Sequence, residues 1–138
     1  MRIGITFDLK GAPAPAGAPD DLFEEFDDPS TVRAIAQVLR DLGHEPIELG
    51  NGPAMVRRLL DDPLDFVFNF AEGQGIGRSR EARVPAILET LGIPYTGPDP
   101  FTAAVTLDKH AAKALVLAAG VKAPAGATCE SNHDLEAI

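Results

Sequence analysis

The alternation of apolar and polar residues along this chain predicts strands and helices in turn. Short apolar runs predict four strands, near residues 2–7, 46–49, 66–70 and 93–95. Apolar residues repeated at intervals of three or four predict helices that begin near Pro29, Pro53, Val84, Pro100 and Lys109. Strands that alternate with helices over short connections are typical of an α/β fold, in which helices cover both faces of a mainly parallel sheet.

Capping residues mark the ends of these helices. Asp28 and Asp99 each precede a proline, the pattern of an N-cap followed by proline at the first helical position, and Asp108 precedes the last helix. Glycines that can adopt the left-handed conformation follow three of the helices, at Gly43, Gly92 and Gly120. In such a fold the ligand-binding loops are expected at the carboxyl ends of the strands.

Composition limits the classes of function. The 138 residues carry a formal net charge of −9, which argues against a nucleic-acid-binding surface because phosphate contacts need clustered Lys and Arg. No apolar run approaches the roughly 20 residues of a membrane span, and the N-terminus does not have the pattern of a signal peptide. The single cysteine, Cys129, fits a reducing compartment. We therefore predict a cytoplasmic protein with neither nucleic acid nor membrane as a partner.

Two segments differ from the predicted core. Residues 8–28 contain an Ala/Pro/Gly tract and then an acidic stretch, and they are predicted to be a disordered loop. The alternative is a flap whose apolar residues pack against another domain. Residues 123–138 follow a linker and have no visible core of their own. We predict a first domain at 1–122 and the truncated beginning of a second domain at 123–138, with a strand near 126–129.

The loop at 71–77 (AEGQGIG) follows the third predicted strand and precedes a helix. Open parallel sheets bind ligands at such a place, and glycines let a backbone approach an anion closely. The loop matches neither common phosphate-binding glycine pattern, so a plain flexible turn is the alternative. Glu72 and Gly73 are candidate substrate-binding residues, and Glu72 is also the candidate catalytic residue. The alternative for Glu72 is an ordinary solvated carboxylate in a loop. Asn69 is expected to hold the loop by side-chain hydrogen bonds.

Three basic residues further along are candidate anion-binding groups. Arg80 and Arg83, after the expected helix cap Ser79, could hold a carboxylate or phosphate by paired donors, or could belong to an ordinary charged first turn. Lys109 opens a helix, where its charge opposes the helix dipole, so its position suits a phosphate contact better than helix stability. The histidines show no metal-ligand spacing, and no metal ligand is predicted. Asp8 follows the first strand, as in response-regulator receivers, but that family's other residues are not found in order.

The longest distinctive stretch, 84–97 (VPAILETLGIPYTG), continues without a gap to Leu-Asp-Lys at 107–109. Together with 68–73 (FNFAEG), it resembles the D-alanine–D-alanine ligase family over roughly residues 60–130. The resemblance implies a three-layer, Rossmann-like pre-ATP-grasp domain followed by the start of an ATP-grasp domain. We therefore expect an N-terminal fragment of a ligase that is not competent for catalysis alone.

The resemblance also implies a chemistry. Such ligases use ATP and Mg²⁺ to convert a carboxylate to an acylphosphate, which the amine of a second amino-acid-like substrate attacks. ATP and Mg²⁺ are expected in the full-length enzyme and not as tight ligands of this piece. Lys109 matches a lysine that contacts ATP, and Glu72 falls at or beside a histidine near the first amino-acid site.

Two departures from the family pattern affect the first-substrate pocket. The segment 7–11 (FDLKG) and the Ala/Pro tract replace a glycine-rich loop that carries a serine and a catalytic glutamate, and 80–82 (REA) replaces Glu-Asp-Gly. A substrate pair other than two D-alanines is therefore expected. Two alternatives stay open: a non-catalytic α/β module that binds a small ligand through the glycine-rich loop, and a homodimer formed through a helix face of the first domain.

Overall fold

A computed structural model of the chain describes residues 1–11, 23–127 and 129. Within these residues there are three strands, β1 (Arg2–Thr6), β2 (Glu45–Glu48) and β3 (Phe66–Asn69). The α-helices of the same residues are α1 (Pro29–Asp41), α2 (Gly52–Asp61), α3 (Arg83–Thr90), α4 (Pro100–Leu107) and α5 (Lys109–Ala118). A single 3₁₀ turn, Arg80–Ala82, precedes α3. The predicted α/β fold is confirmed.

The three strands form one parallel sheet in the order β2-β1-β3. The chain moves from β1 to one side and then returns past β1 to the other side, so right-handed crossovers place α1 and α2 on opposite faces. The register aligns Thr6 with Asn69, and it brings the carboxyl ends of all three strands to one edge of the sheet. That edge is where an open parallel sheet binds ligands.

The central strand β1 is buried on both faces. Ile3 and Ile5 are buried on one face, and Gly4 points to the other. A Cβ on Gly4 would lie 2.6 Å from Leu49 Cδ1 and 2.9 Å from Leu64 Cδ1, so only glycine leaves room for these side chains. The core cluster on that side joins β2, β3, α2 and α3, and it consists of Ile47, Leu49, Met55, Leu59, Val67, Ala71, Val84 and Leu88.

The fourth predicted strand, near 93–95, is wrong as a full strand. Tyr95 forms a single parallel bridge with Val67, whose N–H donates to Pro94 O at 2.9 Å and whose carbonyl accepts from Thr96 N at 3.0 Å. Gly92 and Gly97, both at positive φ, turn the chain on either side of this bridge. The pairing is therefore one residue long, although it extends the sheet beyond β3.

Most predicted helix ends are confirmed by their hydrogen bonds. The Asp28 side chain accepts from Ser30 N at 2.7 Å and the Asp99 side chain from Thr102 N at 2.7 Å, each before a proline. Gly43, Gly92 and Gly120 follow their helices at positive φ. The cap predicted at Ser79 is wrong, because its side chain makes no capping bond to the 3₁₀ turn that follows. Pro85 lies in the first turn of α3.

The two segments that differ from the core are described only in part. Residues 8–11 and 23–28 lie side by side, since Leu9 bridges Asp27, Lys10 N donates to Asp27 O and Asp27 N donates to Asp8 O. The predicted disorder of 8–28 stays a prediction for residues 12–22, which lie outside the described residues. The strand predicted near 126–129 is wrong for the described residues there, which form neither helix nor strand. The sequence also predicts a helix capped by Ser131, and this segment lies outside the described residues.

None of the described helices has the length and apolar character needed to cross a lipid bilayer. The helix α5 has no buried residue, in contrast to α1, α2, α3 and α4. Leu115, Val116 and Leu117 on this helix are exposed.

Candidate functional site

A buried carboxylate lies at the carboxyl edge of the sheet. Asp8, just after β1, is only 2% exposed. Its oxygens accept from Asn51 Nδ2 at 3.2 and 3.0 Å, and one of them accepts from Gly73 N at 2.8 Å. Asn51 follows β2 and Gly73 follows β3, so a single side chain connects the ends of all three strands. Such charge-assisted bonds compensate for the cost of burying the ionised group.

Sequence reasoning weighed Asp8 only against receiver proteins and assigned it no role. The position of Asp8 in the sequence could have indicated a structural role. A carboxylate directly after a buried central strand must find hydrogen-bond donors at the sheet edge. Which donors it finds was beyond the sequence, because Asn51 and Gly73 are 43 and 65 residues away.

The glycine-rich loop is held in one conformation by its neighbours. Gly73 has a φ of 79°, and a Cβ there would lie 2.5 Å from the carbonyl oxygen of Arg80. The Arg83 guanidinium donates to Gln74 O at 2.9 Å and packs against Gly77. These contacts argue against a plain flexible turn.

Asn69 supports the start of this loop, as predicted. Its Oδ1 accepts from Thr6 Oγ1 at 2.7 Å and from Ala71 N at 3.4 Å. The backbone N–H of Asn69 in turn donates to Thr96 Oγ1 at 2.9 Å. The end of β3 is therefore fixed to both neighbouring segments before the chain enters the loop.

Glu72 is half-buried beside a small cavity of about 120 Å³ that Glu81, Pro98 and Ala103 also line. Burial is the main cause that raises the pKa of the Glu72 carboxyl, and the nearby carboxylates of Glu81 and Glu25 raise it further. Arg80 opposes this shift but does not cancel it. Glu72 is therefore a proton-binding group with a raised pKa in a concave region, as is common for catalytic acids.

Arg80 lies between two larger open cavities. Its side chain is 15% exposed and forms an ion pair with Glu25, whose side chain is 63% exposed. One cavity, of about 720 Å³, lies between the 23–26 segment and the glycine-rich loop. The other, of about 610 Å³, lies between 76–80 and the start of α5. Arg80, like Ile76, lines both cavities.

Lys109 lines the second cavity together with Arg80 and His110. Across it, Arg78 pairs with Asp108, the residue that caps α5 by accepting from His110 N and Ala111 N at 3.1 and 3.0 Å. The bond from Ala111 N, and then the Arg78 guanidinium, lower the pKa of the Asp108 carboxyl. Lys109 is therefore held at the mouth of the cavity by an ordered helix start.

The sequence-predicted residues line different cavities. Gly73 and Arg80 line the cavity of about 720 Å³, Arg80 and Lys109 line the one of about 610 Å³, and Glu72 lines the small cavity at the end of β3. Arg83 lines none of these cavities but a further, mostly apolar one of about 580 Å³ between α2 and the glycine-rich loop. Its contact with Gln74 O indicates that it supports the loop.

The described residues contain no group of three or more His, Cys, Asp or Glu side chains arranged to hold a metal ion. Carboxylate and amide oxygens would be needed in such a group to bind Mg²⁺. No magnesium ligand is therefore assigned to this part of the chain.

Known proteins are similar in sequence to this chain. A D-alanine–D-alanine ligase of Aquifex aeolicus is 36% identical over 105 residues, 76% of this chain and 35% of that protein. The corresponding ligase of Gloeobacter violaceus is 33% identical over 99 residues, 72% of this chain and 32% of that protein. This chain is homologous to the N-terminal part of D-alanine–D-alanine ligases. The resemblance predicted from the sequence is confirmed, although no protein-family model matches the chain.

The homology has a defined extent. The chain spans about a third of the length of the curated ligases it matches. The crystal structure of a D-alanine–D-alanine ligase from Bacillus anthracis aligns with 99% of this chain and 42% of that chain, with a TM-score of 0.60 at 19% identity. This structural likeness shows a shared fold.

Proposed function

We propose that this chain forms the first domain of an ATP-dependent carboxylate–amine ligase and cannot catalyse ligation alone. The observation that carries the proposal is that Arg80 lines two adjacent cavities beside the glycine-rich loop, one of which Lys109 also lines, while Glu72 lines a third, smaller cavity at the carboxyl end of β3. The homology to the N-terminal part of D-alanine–D-alanine ligases supports the reaction class. A cytoplasmic location fits this chemistry.

The residues have distinct proposed roles. Glu72, with Gly73 beside it, orients the ammonium group of an amino-acid-like substrate, and Arg80 binds a carboxylate. Arg83, first considered a substrate contact, acts by holding the glycine-rich loop through Gln74. Lys109, exposed at the cavity mouth, contacts a phosphate of ATP.

The described residues provide some of the groups that the proposed reaction needs. ATP would supply the phosphoryl group that activates a carboxylate as an acylphosphate before the amine attacks, and Mg²⁺ would neutralise phosphate charge. A single lysine and an arginine suit contact with phosphate, whereas the described residues offer no magnesium site. Neither ATP nor Mg²⁺ is expected to bind this chain tightly by itself. The 80–82 (REA) turn changes the charge of the substrate region, so we propose a substrate pair other than two D-alanines.

The test is to express the complete coding frame that contains this chain and to measure ADP release with a panel of amino acids. ADP formation that requires both an amine and a carboxylate substrate is expected. A frame whose complete product releases no ADP with any pair, yet binds a small ligand, would instead establish the non-catalytic module. The homodimer predicted from the sequence stays a prediction, and sedimentation of the same product tests it.

A further inference from the structure

Two arginine ion pairs near the glycine-rich loop have opposite exposure. In the pair of Arg78 with Asp108, the arginine side chain is 79% exposed and the carboxylate 13%, because Asp108 is fixed as the cap of α5. In the pair of Arg80 with Glu25, the arginine is 15% exposed and the carboxylate 63%. The second pair therefore consists of a well-enclosed guanidinium and a loosely held carboxylate.

The weakly held partner has consequences for binding. Exposed ion pairs contribute little to stability, because solvent screens them and long side chains lose entropy when they are fixed. Solvent can take over the mostly exposed Glu25 carboxylate when it leaves Arg80, whereas the enclosed Arg80 guanidinium then needs another anion as its partner. A second carboxylate that reached this guanidinium would find a preformed donor of paired hydrogen bonds.

Beside this pair is an open cavity of about 720 Å³ with an apolar side. Phe23 and Phe26 lie with their rings 5.9 Å apart, and Leu9 lines the same cavity. Ile76, opposite them in the glycine-rich loop, is fully exposed, which is unusual for a large apolar side chain. Among the described residues, the cavity therefore combines one cationic group, Arg80, with apolar side chains, of which Ile76 is fully exposed.

We propose that this cavity binds a small carboxylate with a large apolar side chain, which displaces Glu25 from Arg80. The ligand carboxylate takes the Arg80 guanidinium, and its apolar group packs among Phe23, Phe26 and Ile76. This inference rests on the proposed function in one respect, because it names the class of carboxylate substrate for that site. Alanine would leave most of the apolar surface uncovered, whereas a leucine-sized or phenylalanine-sized group would fill it.

The surrounding charges favour displacement over simple addition of an anion. Besides burial, the carboxylates of Glu81, Glu25 and Asp27 raise the pKa of the Glu72 carboxyl, so an acidic region adjoins Arg80. A further anion would be repelled by this acidic region if Glu25 stayed in place. Exchange of one carboxylate for another leaves the charge at Arg80 unchanged.

The test uses the chain itself and three probes: 3-phenylpropionate, its neutral analogue 3-phenylpropanamide, and acetate. Binding is followed by calorimetry and by the ¹⁵N–¹H signals of Arg80 Nε and the Ile76 amide. We expect saturable binding of 3-phenylpropionate with shifts at both signals, and at least about tenfold weaker binding of the other two probes. Equal binding of acetate would overturn the apolar specificity, and absence of saturable binding would overturn the site.

Three variants separate displacement from an ordinary structural ion pair. Glu25→Gln removes the competing carboxylate and should tighten 3-phenylpropionate binding about threefold, a gain that loss of a structural contact does not produce. Arg80→Gln should abolish the binding. Arg78→Gln, the matched control from the oppositely exposed pair, should leave it unchanged. Weaker or unaltered binding by Glu25→Gln refutes displacement even if Arg80→Gln fails to fold.

The outcomes distinguish this inference from the proposed function. Binding of 3-phenylpropionate needs neither ATP nor catalysis. Its absence in this chain, together with ADP release by the complete gene product, would reject the apolar site and leave the ligase assignment intact. Its presence without any ADP release would retain the site and reject the ligase assignment.

Discussion

The same carboxylate oxygen of Asp8 accepts hydrogen bonds from the backbone N–H of Gly73 at 2.8 Å and from the side-chain amide of Asn51 at 3.0 Å. This relationship joins the end of the central strand to a loop 65 residues further along the chain. The geometry of the candidate site therefore depends on the buried Asp8 carboxylate, which is not itself a proposed substrate contact. Each prediction below concerns either this framework or the groups that it positions.

Loss of the Asp8 charge should weaken the whole strand-end framework. Asp8→Ala removes the acceptor of the Asn51 and Gly73 donors and leaves them without a partner. We expect a loss of about 2–4 kcal/mol in the free energy of unfolding, measured by urea denaturation. The control is Asp61→Ala at the exposed end of α2, expected to change stability by less than about 0.5 kcal/mol. Equal effects of the two variants would show that the Asp8 network is not important for stability.

The glycine at position 73 is required by both backbone conformation and space. Gly73→Ala places a Cβ at 2.5 Å from the Arg80 carbonyl oxygen in addition to the strain of a φ of 79°. Gly75→Ala, at a φ of 85° with nothing within 4 Å of its Cβ, carries the conformational strain alone. The second should cost about 1–2 kcal/mol and the first clearly more, by thermal or urea unfolding. Similar values would mean that contact with Arg80 adds nothing.

The Glu72 carboxyl should make stability depend on pH in a defined direction. Its pKa is raised, first by burial and then by Glu81 and Glu25. A raised pKa in the folded state means that the ionised carboxylate destabilises the fold. This penalty is absent below the ordinary pKa near 4.5 and becomes complete as the pH rises through the raised folded value.

Glu72→Gln removes that penalty and isolates it from other titrating groups. The variant should gain stability relative to the parent as the pH increases from about 4 to about 7, with the difference growing across that range. Urea unfolding of both proteins at several pH values measures the difference. Glu24→Gln, on the exposed part of the 23–28 segment, provides the control, and a constant difference for Glu72→Gln would refute the raised pKa.

Lys109 should affect the nucleotide and not the fold. In the complete gene product, Lys109→Ala removes a charge from the cavity mouth and should raise the apparent KM for ATP about tenfold, equal to the loss of one charge-assisted hydrogen bond. Lys122→Ala, exposed beyond α5, is the matched control and should leave the KM unchanged. An unaltered KM for ATP in Lys109→Ala would remove the proposed role.

Much of the fold could be predicted because its signals are local. Asp28 and Asp99 before prolines gave two helix starts correctly, since a cap depends only on the next three residues. The apolar run at β3 gave a strand for the same kind of reason, although only Val67 of its four residues is buried. The strand predicted near 93–95 is only a single bridge in the structure. A bridge and a strand have similar sequences, and the backbone of the neighbouring strand decides how many residues pair.

The candidate site could be predicted only in its parts. Glycine, glutamate and arginine after a buried strand indicated a binding loop, and Lys109 indicated an anion contact. That Arg83 supports Gln74 while Arg80 lines the cavities was not visible, because a spacing of three residues in a helix predicts that both side chains lie on one face and does not show which contacts each makes.

By itself, the sequence determined the order of strands and helices, the parallel sheet and the family relationship, since all three follow from local periodicity and residue identity. Only the tertiary structure decided that Asp8 binds Asn51 and Gly73, and that Glu25 pairs with Arg80 across the cavity. The physical reason is that such pairings join residues 43 to 65 positions apart. Packing of the sheet and its crossovers selects among the many donors that each carboxylate could meet.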